Sequence, residues 1–477
     1  MTSRSGGLLE LVARGKKDVF FTANPTVAYI HSVYTRAAPF TKELYISKPR
    51  NAPEWGHWVD FDIEHRGDIV REFYLRIDLP TWLPPKAAAA NPTGVVTGSD
   101  SVTYGFCNNI GFLMLDKIQV FEDQVIIHEL YGEYLDWKLR QVYTLAATFV
   151  TSDQIGGRVD TPLGIGRSAT FGQLRVPLPI FGWQNLGDPG LPTVALRAQR
   201  YRIRIWIKPL SAVVVASDGR IAPQPWDGMP LRVQATQGGP VDTSLVTLPK
   251  SSMNGLGMSL ETTQLYLPAD VNLFLKSQIL RFPFLHTQFQ QYTIDDNTMT
   301  AAYFAGAGVM RYSMDVDFIG SVSRLFLGFR SDANTQAGAL SYLRPPLPSK
   351  PSQSYAAAFI TSIRLNIANI DRVKSWPIAV FREVSAYWKN KRMALDIANP
   401  SLPQEVYTLT FGGYDAADPA GTLNFTRAAS PTLFVSLNAV PYDVRLVSRK
   451  TFALLYAESW NVFEISGGRG RCMFDDS

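Results

Sequence analysis

Cysteine is scarce in this chain: 477 residues hold two, Cys107 and Cys472. A pair so far apart builds neither a disulfide framework nor a thiolate metal cluster, and suits a protein made and assembled in a reducing cytosol. Histidine is scarce too. Its five copies are scattered singly, so no Ser/His/Asp triad can be argued from spacing. Charge is sparse at 18%, against an ordinary value of about 25%. Lys and Arg number 46 against 41 acids, a net charge of +5. No basic run exceeds a few residues, so the chain lacks the patch or arm of a nucleic-acid-binding domain, and direct DNA binding is not expected. No apolar stretch approaches the roughly 18 residues of a membrane-spanning helix. No apolar segment follows Arg4 in the manner of a signal peptide.

Catalytic motifs are missing as well. The sequence has no P-loop pattern, no G-x-S-x-G and no H-E-x-x-H. Gly467-Gly468-Arg469-Gly470 has too few residues after it to open a phosphate-cradling helix. The best candidate cation site is His57, Asp60, Asp62, Glu64 and His65. Three carboxylates at i, i+2, i+4 share one strand face, as oxygen ligands must. His65, however, has the inward parity of Phe61 and Ile63, which breaks a mixed ligand set and leaves an ordinary polar strand face as the better account. Trp55, Trp58, Trp183 and Trp376 could form a glycan-binding platform, although core or interface packing is the commoner use of tryptophan. These residues give no positive sign of catalysis, and no cofactor is expected.

What is present is aromatic and β-rich. The chain holds 27 Phe, 20 Tyr and 10 Trp, and 46% of it is apolar. That is enough for two sizeable cores, and the length suits two domains of about 200–250 residues. Short period-2 runs dominate. In 58–65, Val59, Phe61 and Ile63 alternate with Asp60, Asp62 and Glu64. In 200–208, Tyr201, Ile203, Ile205 and Ile207 alternate with Arg200, Arg202, Arg204 and Lys208. Further strands are expected at 69–79, 117–121, 124–128, 172–181, 258–267, 280–294, 313–329, 359–369, 404–411, 421–427, 432–438 and 443–456. Glu122-Asp123 reads as a hairpin turn, and so does Asn369-Ile370-Asp371. Tyr131, Leu135, Leu139 and Val142 fall on one helical stripe within 129–147. Residues 80–105, 216–257 and 331–358 read as long loops rich in Pro, Gly, Ser or Ala. After a connector at 268–277 the strand pattern restarts. Seven or more short strands per half argue for two antiparallel sandwiches.

The segment 6–43 carries a more specific signal. Gly6-Gly7-Leu8, Leu11-Val12-Ala13 with Gly15, Asp18 with Phe20-Phe21-Thr22, Asn24-Pro25, then Val33-Tyr34, Arg36 and Phe40 together resemble the opening of the major capsid proteins of nucleocytoplasmic large DNA viruses. The likeness continues in the turn Arg66-Gly67-Asp68, the hairpin 116–128, Val176-Pro177-Leu178 and Leu191-Pro192. It reappears at Gly421 with Asn424-Phe425 and Arg427, and at Asn461 to Gly467. It covers nearly the whole chain and is weakest at 216–257 and 295–360.

The resemblance implies an all-β fold of two consecutive eight-stranded antiparallel jelly rolls with short helices and long loops. It implies an N-terminal arm over 1–24, a first jelly roll over 25–267, a connector over 268–280 and a second jelly roll over 281–477. The implied function is structural and not enzymatic. It is a homotrimeric, pseudo-hexagonal capsomer in an icosahedral virion shell, touching neighbouring capsomers and minor capsid proteins and assembled in the host cytoplasm. A minor capsid paralogue of the same fold and a glycan-binding β-sandwich spike module are the alternatives. Leu8, Leu11, Val12, Asp18, Phe20, Phe21, Asn24 and Pro25 would belong to the assembly arm. The second and seventh strands of a jelly roll are neighbours, and the resemblance puts 58–65 and 200–208 there. Asp60, Asp62 and Glu64 should then face Arg200, Arg202 and Arg204 across the two strands.

Overall fold

The computed structural model describes residues 39–80, 95–98, 104–107, 109–141, 154–157, 168, 172–182, 190–216, 230–234, 245–247, 256–295, 309–331, 360–377, 380–381, 406–411, 421–438 and 450–474. The strands below all lie in the unit Thr41–Ser477.

Among the described residues, thirteen strands precede the connector. They are β1 (Thr41–Ser47), β2 (Trp58–Asp62), β3 (Ile69–Asp78), β4 (Val95–Gly98), β5 (Tyr104–Phe106), β6 (Leu115–Glu122), β7 (Val125–Tyr131), β8 (Gln173–Leu178), β9 (Tyr201–Ile207), β10 (Val214–Ala216), β11 (Pro230–Gln234), β12 (Leu245–Thr247) and β13 (Gly257–Tyr266). Two four-stranded antiparallel sheets dominate, in the orders β1-β13-β3-β8 and β2-β9-β6-β7. Counted along the eight strands concerned, these orders are 1-8-3-6 and 2-7-4-5, the jelly-roll arrangement.

Ten strands follow. They are β14 (Leu280–Asp295), β15 (Val309–Asp315), β16 (Ser321–Ser331), β17 (Ile360–Ile367), β18 (Ile370–Pro377), β19 (Val406–Thr410), β20 (Leu423–Asn424), β21 (Thr432–Asn438), β22 (Lys450–Ser466) and β23 (Arg469–Cys472). Their sheets run β14-β22-β16-β19 and β15-β21-β17-β18, with β20 and β23 attached to β16 and β22. The order 1-8-3-6 and 2-7-4-5 recurs, so the chain is all-β and folds as two eight-stranded jelly rolls. Among the described residues three α-helices accompany them: α1 (Ile110–Leu113), α2 (Gly132–Gln141) and α3 (Ala269–Ser277), the last standing between β13 and β14.

Alternation sets the sandwich faces. Val59, Phe61, Tyr201, Ile203, Ile205 and Ile207 are all buried, as are Phe73, Leu75 and Ile77 on β3. A slip of one residue would turn each row outward, so burial fixes the register. A second core gathers Val322, Leu325, Leu327, Ile363, Leu365, Leu433, Val435 and Leu437.

Several expectations need correction. The stretch 313–329 holds two strands, because β15 ends at Asp315 and β16 starts at Ser321. The segment 443–456 belongs to a longer strand, β22, reaching Ser466. The long stretches 80–105 and 216–257 are not wholly loop: β4, β11 and β12 pair into a three-stranded sheet, and β5 pairs with β10. Each such strand is only three to five residues long, too short for a visible period. The first hairpin turn is Asp123-Gln124, because Glu122 pairs with Val125. The helix after β7 starts at Gly132, while the residues beyond 141 lie outside the described set. His65 is exposed, because β2 ends at Asp62 and the alternation stops with it.

Candidate functional site

Two arrangements of side chains stand out, one on a sheet face and one between the jelly rolls. The first begins with β2 and β9, which are antiparallel neighbours with Asp60 opposite Arg204 and Asp62 opposite Arg202. Asp60 binds Arg204 through two parallel bonds, Nε to Oδ1 at 2.8 Å and Nη2 to Oδ2 at 2.9 Å. Arg202 approaches the same carboxylate at 3.5 Å. The Arg204 guanidinium lies over the Trp58 ring at 4.1 Å and Arg202 over Phe121 at 4.7 Å. Asp60 is therefore buried although it points away from the sandwich core. Its backbone N–H is held by Asn51 Oδ1 at 2.9 Å. The row continues across β6 and β7: Trp206 Nε1 donates to Gln119, and Gln119 donates to Glu129.

The expected three-against-three ladder is thus shorter and unequal. Asp62 takes Arg50 as its ion partner. Glu64 lies beyond the end of β2 and pairs locally with Arg66 at 2.9 Å. Arg200 precedes β9, and its backbone N–H donates to Asp123 Oδ1. The Arg204 fork and the Arg202 charge concentrate on Asp60 because it is the one acid of the three in the centre of the paired segment. Of the tryptophans considered as a glycan platform, Trp58 lies beneath Arg204 and Trp55 packs on the first core. Trp376 is exposed on β18, in the other jelly roll, so these three form no common face. Trp183 lies outside the described residues.

The second arrangement is the joint. Tyr134 and Trp137 of α2 project from the first jelly roll and meet Phe326 and Tyr456 of the second, while Tyr131 of β7 meets Phe289. Trp137 stands edge-on to Tyr456 at 5.1 Å, Tyr134 edge-on to Phe326 at 5.7 Å, and Phe289 stacks on Tyr456 at 4.8 Å. Aromatic pairs of this kind add about 0.5–1.5 kcal/mol each beyond the area they bury. Gly328 on β16 makes room for Trp137: a Cβ there would sit 2.5 Å from the indole ring. One contiguous core therefore runs from Val59 and Phe61 through to Phe284, Tyr456 and Phe463.

Glu458 of β22 lies inside this joint, fully buried. Lys138 of α2 reaches it at 3.0 Å and Arg324 of β16 at 3.6 Å. The Tyr134 hydroxyl donates to it as well. Burial alone would raise the carboxyl pKa. The charges of Lys138 and Arg324, with the Tyr134 and Lys138 hydrogen bonds, outweigh burial and hold it below the usual carboxylate range. Also at this joint, His128 of β7 is fully buried. Its Nδ1 accepts the Phe181 backbone N–H at 3.2 Å, and its Nε2 meets the Leu285 carbonyl of β14 at 3.1 Å. Sequence reasoning missed both groups. No local pattern marks either, and each has a partner in the other half of the chain: Leu285 for His128, Lys138 and Tyr134 for Glu458.

Among the described residues no three His, Cys, Asp or Glu side chains gather where they could hold a metal ion. The Cys107 thiol is buried, and desolvation pushes it up to about 12, so it stays protonated near neutrality. What the surface does offer is exposed apolar side chains. Val125, Ile126, Leu273, Phe274, Ile279, Ile370, Met473 and Phe474 are all at least 39% open. The arm residues Leu8, Leu11, Val12, Asp18, Phe20, Phe21, Asn24 and Pro25 lie outside the described residues.

The fold defines a class, the double jelly-roll proteins, and comparison with solved structures bears this out. The chain superposes on PBCV-1 VP54 with a TM-score of 0.65 at 14% identity, over 94% of this chain and 100% of that one. The Faustovirus major capsid protein follows with a TM-score of 0.56 at 13% identity, over 95% and 94%. No family model matches the sequence. Curated relatives do. "Probable capsid protein 4" of Acanthamoeba polyphaga mimivirus is 25% identical over 201 residues, 42% of this chain and 37% of the relative. The major capsid protein of Chrysochromulina ericina virus is 25% identical over 241 residues, 43% of this chain and 41% of the relative. The matched segments thus span well under half the length of these relatives. The chain thus shares its fold with double jelly-roll capsid proteins, and the curated relatives that match part of it are capsid proteins of large DNA viruses.

Proposed function

We propose that the protein is a structural subunit of an icosahedral virus shell, three copies forming one pseudo-hexagonal capsomer. The observation that carries this reading is the joint. Two jelly rolls with the same strand order are fused through one aromatic core, so each subunit presents two similar sandwiches as one rigid block. Three such blocks about a threefold axis have six nearly equivalent corners, a tile that packs in two dimensions. The named relatives are capsid proteins, and the low charge of the chain suits a surface buried against neighbouring capsomers and minor capsid proteins.

On this reading residues 25–267 and 281–477 are the two jelly-roll domains, 268–280 is the connector and 1–24 is an arm that engages a neighbouring protein. Assembly takes place in the host cytoplasm, and the subunit acts without catalysis or direct contact with nucleic acid. Electron microscopy of virions labelled at an exposed loop tests the proposal. Label across the whole hexagonal lattice is the expected result. Label confined to special positions would make the chain a minor paralogue of the same fold, and absence from the shell would overturn the reading.

A further inference from the structure

We propose that the joint between the two jelly rolls is an acid-releasable latch, with His128 as its trigger. This rests on the capsid reading for its purpose, the loosening of a shell subunit on acidification, but its geometry stands in the single chain.

Both ring nitrogens of His128 are committed to backbone groups. Nδ1 is the acceptor for the Phe181 N–H, so it carries no proton. Nε2 therefore carries it and donates to the Leu285 carbonyl. The first bond ties β7 to the turn Ile180–Gly182, and the second ties β7 of the first jelly roll to β14 of the second. Only the neutral imidazole satisfies both. A second proton on Nδ1 would set two N–H donors against each other and place a charge in a fully buried site. The ring is stacked on Phe181 and edge-on to Phe284, each at 5.5 Å, so it has no room to turn away.

The groups around it offer no relief. The turn Ile180–Gly182 has no titratable side chain. β14 contributes His286, with ring centres 6.3 Å apart. α2 contributes Lys138, which is engaged with Glu458. On its own strand Glu129 is held by Gln119, Tyr131 and Lys117. From β23 the Cys472 thiol reaches the Ile127 carbonyl. None of these places an anion beside the ring.

Burial first, then the repulsion of His286, lowers the His128 pKa to about 3 in the closed joint, with the Leu285 carbonyl working the other way. Once the joint opens and water reaches the ring, its pKa returns to about 6.5. Protons then bind the open form and not the closed one. The open-to-closed ratio should therefore rise about 30-fold between pH 7.5 and pH 5.

Hydrogen exchange on the full-length protein reads this directly, because the Phe181 amide donates to the trigger itself. Opening constants, taken from protection factors corrected for intrinsic exchange, should rise about 30-fold at Phe181 across that range. Amides of β15 and β21, away from the joint, should hold theirs. In His128→Gln the carboxamide can accept from Phe181 and donate to Leu285 but cannot titrate, so its rise should fall below about threefold. His286→Gln should keep the wild-type response. Equal loss of protection throughout the wild-type chain, or an unchanged response in His128→Gln, would overturn the latch. The wild-type comparison stands even if a variant fails to fold. A chain that opens at pH 5 but never enters a shell removes the capsid reading alone. A chain that assembles yet stays protected at pH 5 removes the latch alone.

Discussion

At the scale of single residues, Asp60 and Glu458 do similar work in different surroundings. Asp60 neutralises Arg204 and Arg202 on a sheet face that aromatic rings largely cover. Replacing it by Asn removes the counter-charge and leaves two guanidiniums partly desolvated. Asp60→Asn should cost about 2–3 kcal/mol, read as a fall in urea midpoint at unchanged slope. Arg204→Lys keeps the charge but loses the fork and the ring contact, and should cost about 1 kcal/mol. Glu458→Gln should cost more, about 3–5 kcal/mol at pH 7, because Lys138 and Arg324 lose their shared partner in a fully buried place. The sign of its pH dependence follows from the lowered carboxyl pKa. The stabilisation is present above the unfolded-state value near 4.3 and disappears as pH falls through the lower folded value. Wild type and variant should therefore converge in strong acid, and a gap that widens there would refute the assignment. The Asp60 contact was half legible in sequence: alternation showed two charged rows, but not which acid both arginines would choose. Glu458 was illegible, because Lys138 and Glu458 lie far apart in sequence and nothing local marks either.

At the scale of elements, the long alternating strands were readable and the turns were displaced by a residue. The β17–β18 hairpin shows why. Its loop is Ala368-Asn369, with Ile367 paired to Ile370, and both loop residues have positive φ, 51° and 64°. A two-residue loop with both φ positive matches the twist of the flanking strands, and it is normally made by Asn-Gly or Asp-Gly. Asn369 fits that chemistry, but Ala368 does not, so the sequence signal pointed one step too far along the chain. A left-handed alanine costs about 1–2 kcal/mol in the turn. Part of that would be offset in a glycine variant by the larger entropy of its unfolded chain. Ala368→Gly should therefore stabilise the protein by about 0.5–1 kcal/mol. Differential scanning calorimetry would detect this as a higher melting temperature, and a lower one would mean that the loop is held by contacts and not by the local backbone. The small sheets built by β4, β5, β10, β11 and β12 were unreadable for another reason. Each depends on partners from a distant stretch, and three to five residues carry no period of their own.

At the scale of the whole molecule, the exposed apolar residues require an explanation that a lone subunit does not supply. No residue of α3 is buried, and Leu273 and Phe274 are 69% and 59% open to solvent. Val125 and Ile126 project from the β6–β7 hairpin, and Met473 and Phe474 from the residues after β23. Soluble monomers seldom leave so many large apolar side chains in water beside a charged fraction of only 18%. Association into a trimer would cover part of this surface, and an obligate interface of this kind buries more than about 2,000 Å². Light scattering of the purified full-length chain at micromolar concentration should therefore give three times the single-chain mass. Phe274→Asp should lower that mass towards the monomer if α3 lies in the contact. The same substitution should leave the β-sheet circular dichroism intact, because the side chain is already in water in the separate subunit. A clean monomer for the unaltered chain would remove the trimer and, with it, the physical reason offered for the low charge. Trimers that survive Phe274→Asp would keep the assembly but move its interface away from α3, leaving that helix to face a neighbouring capsomer.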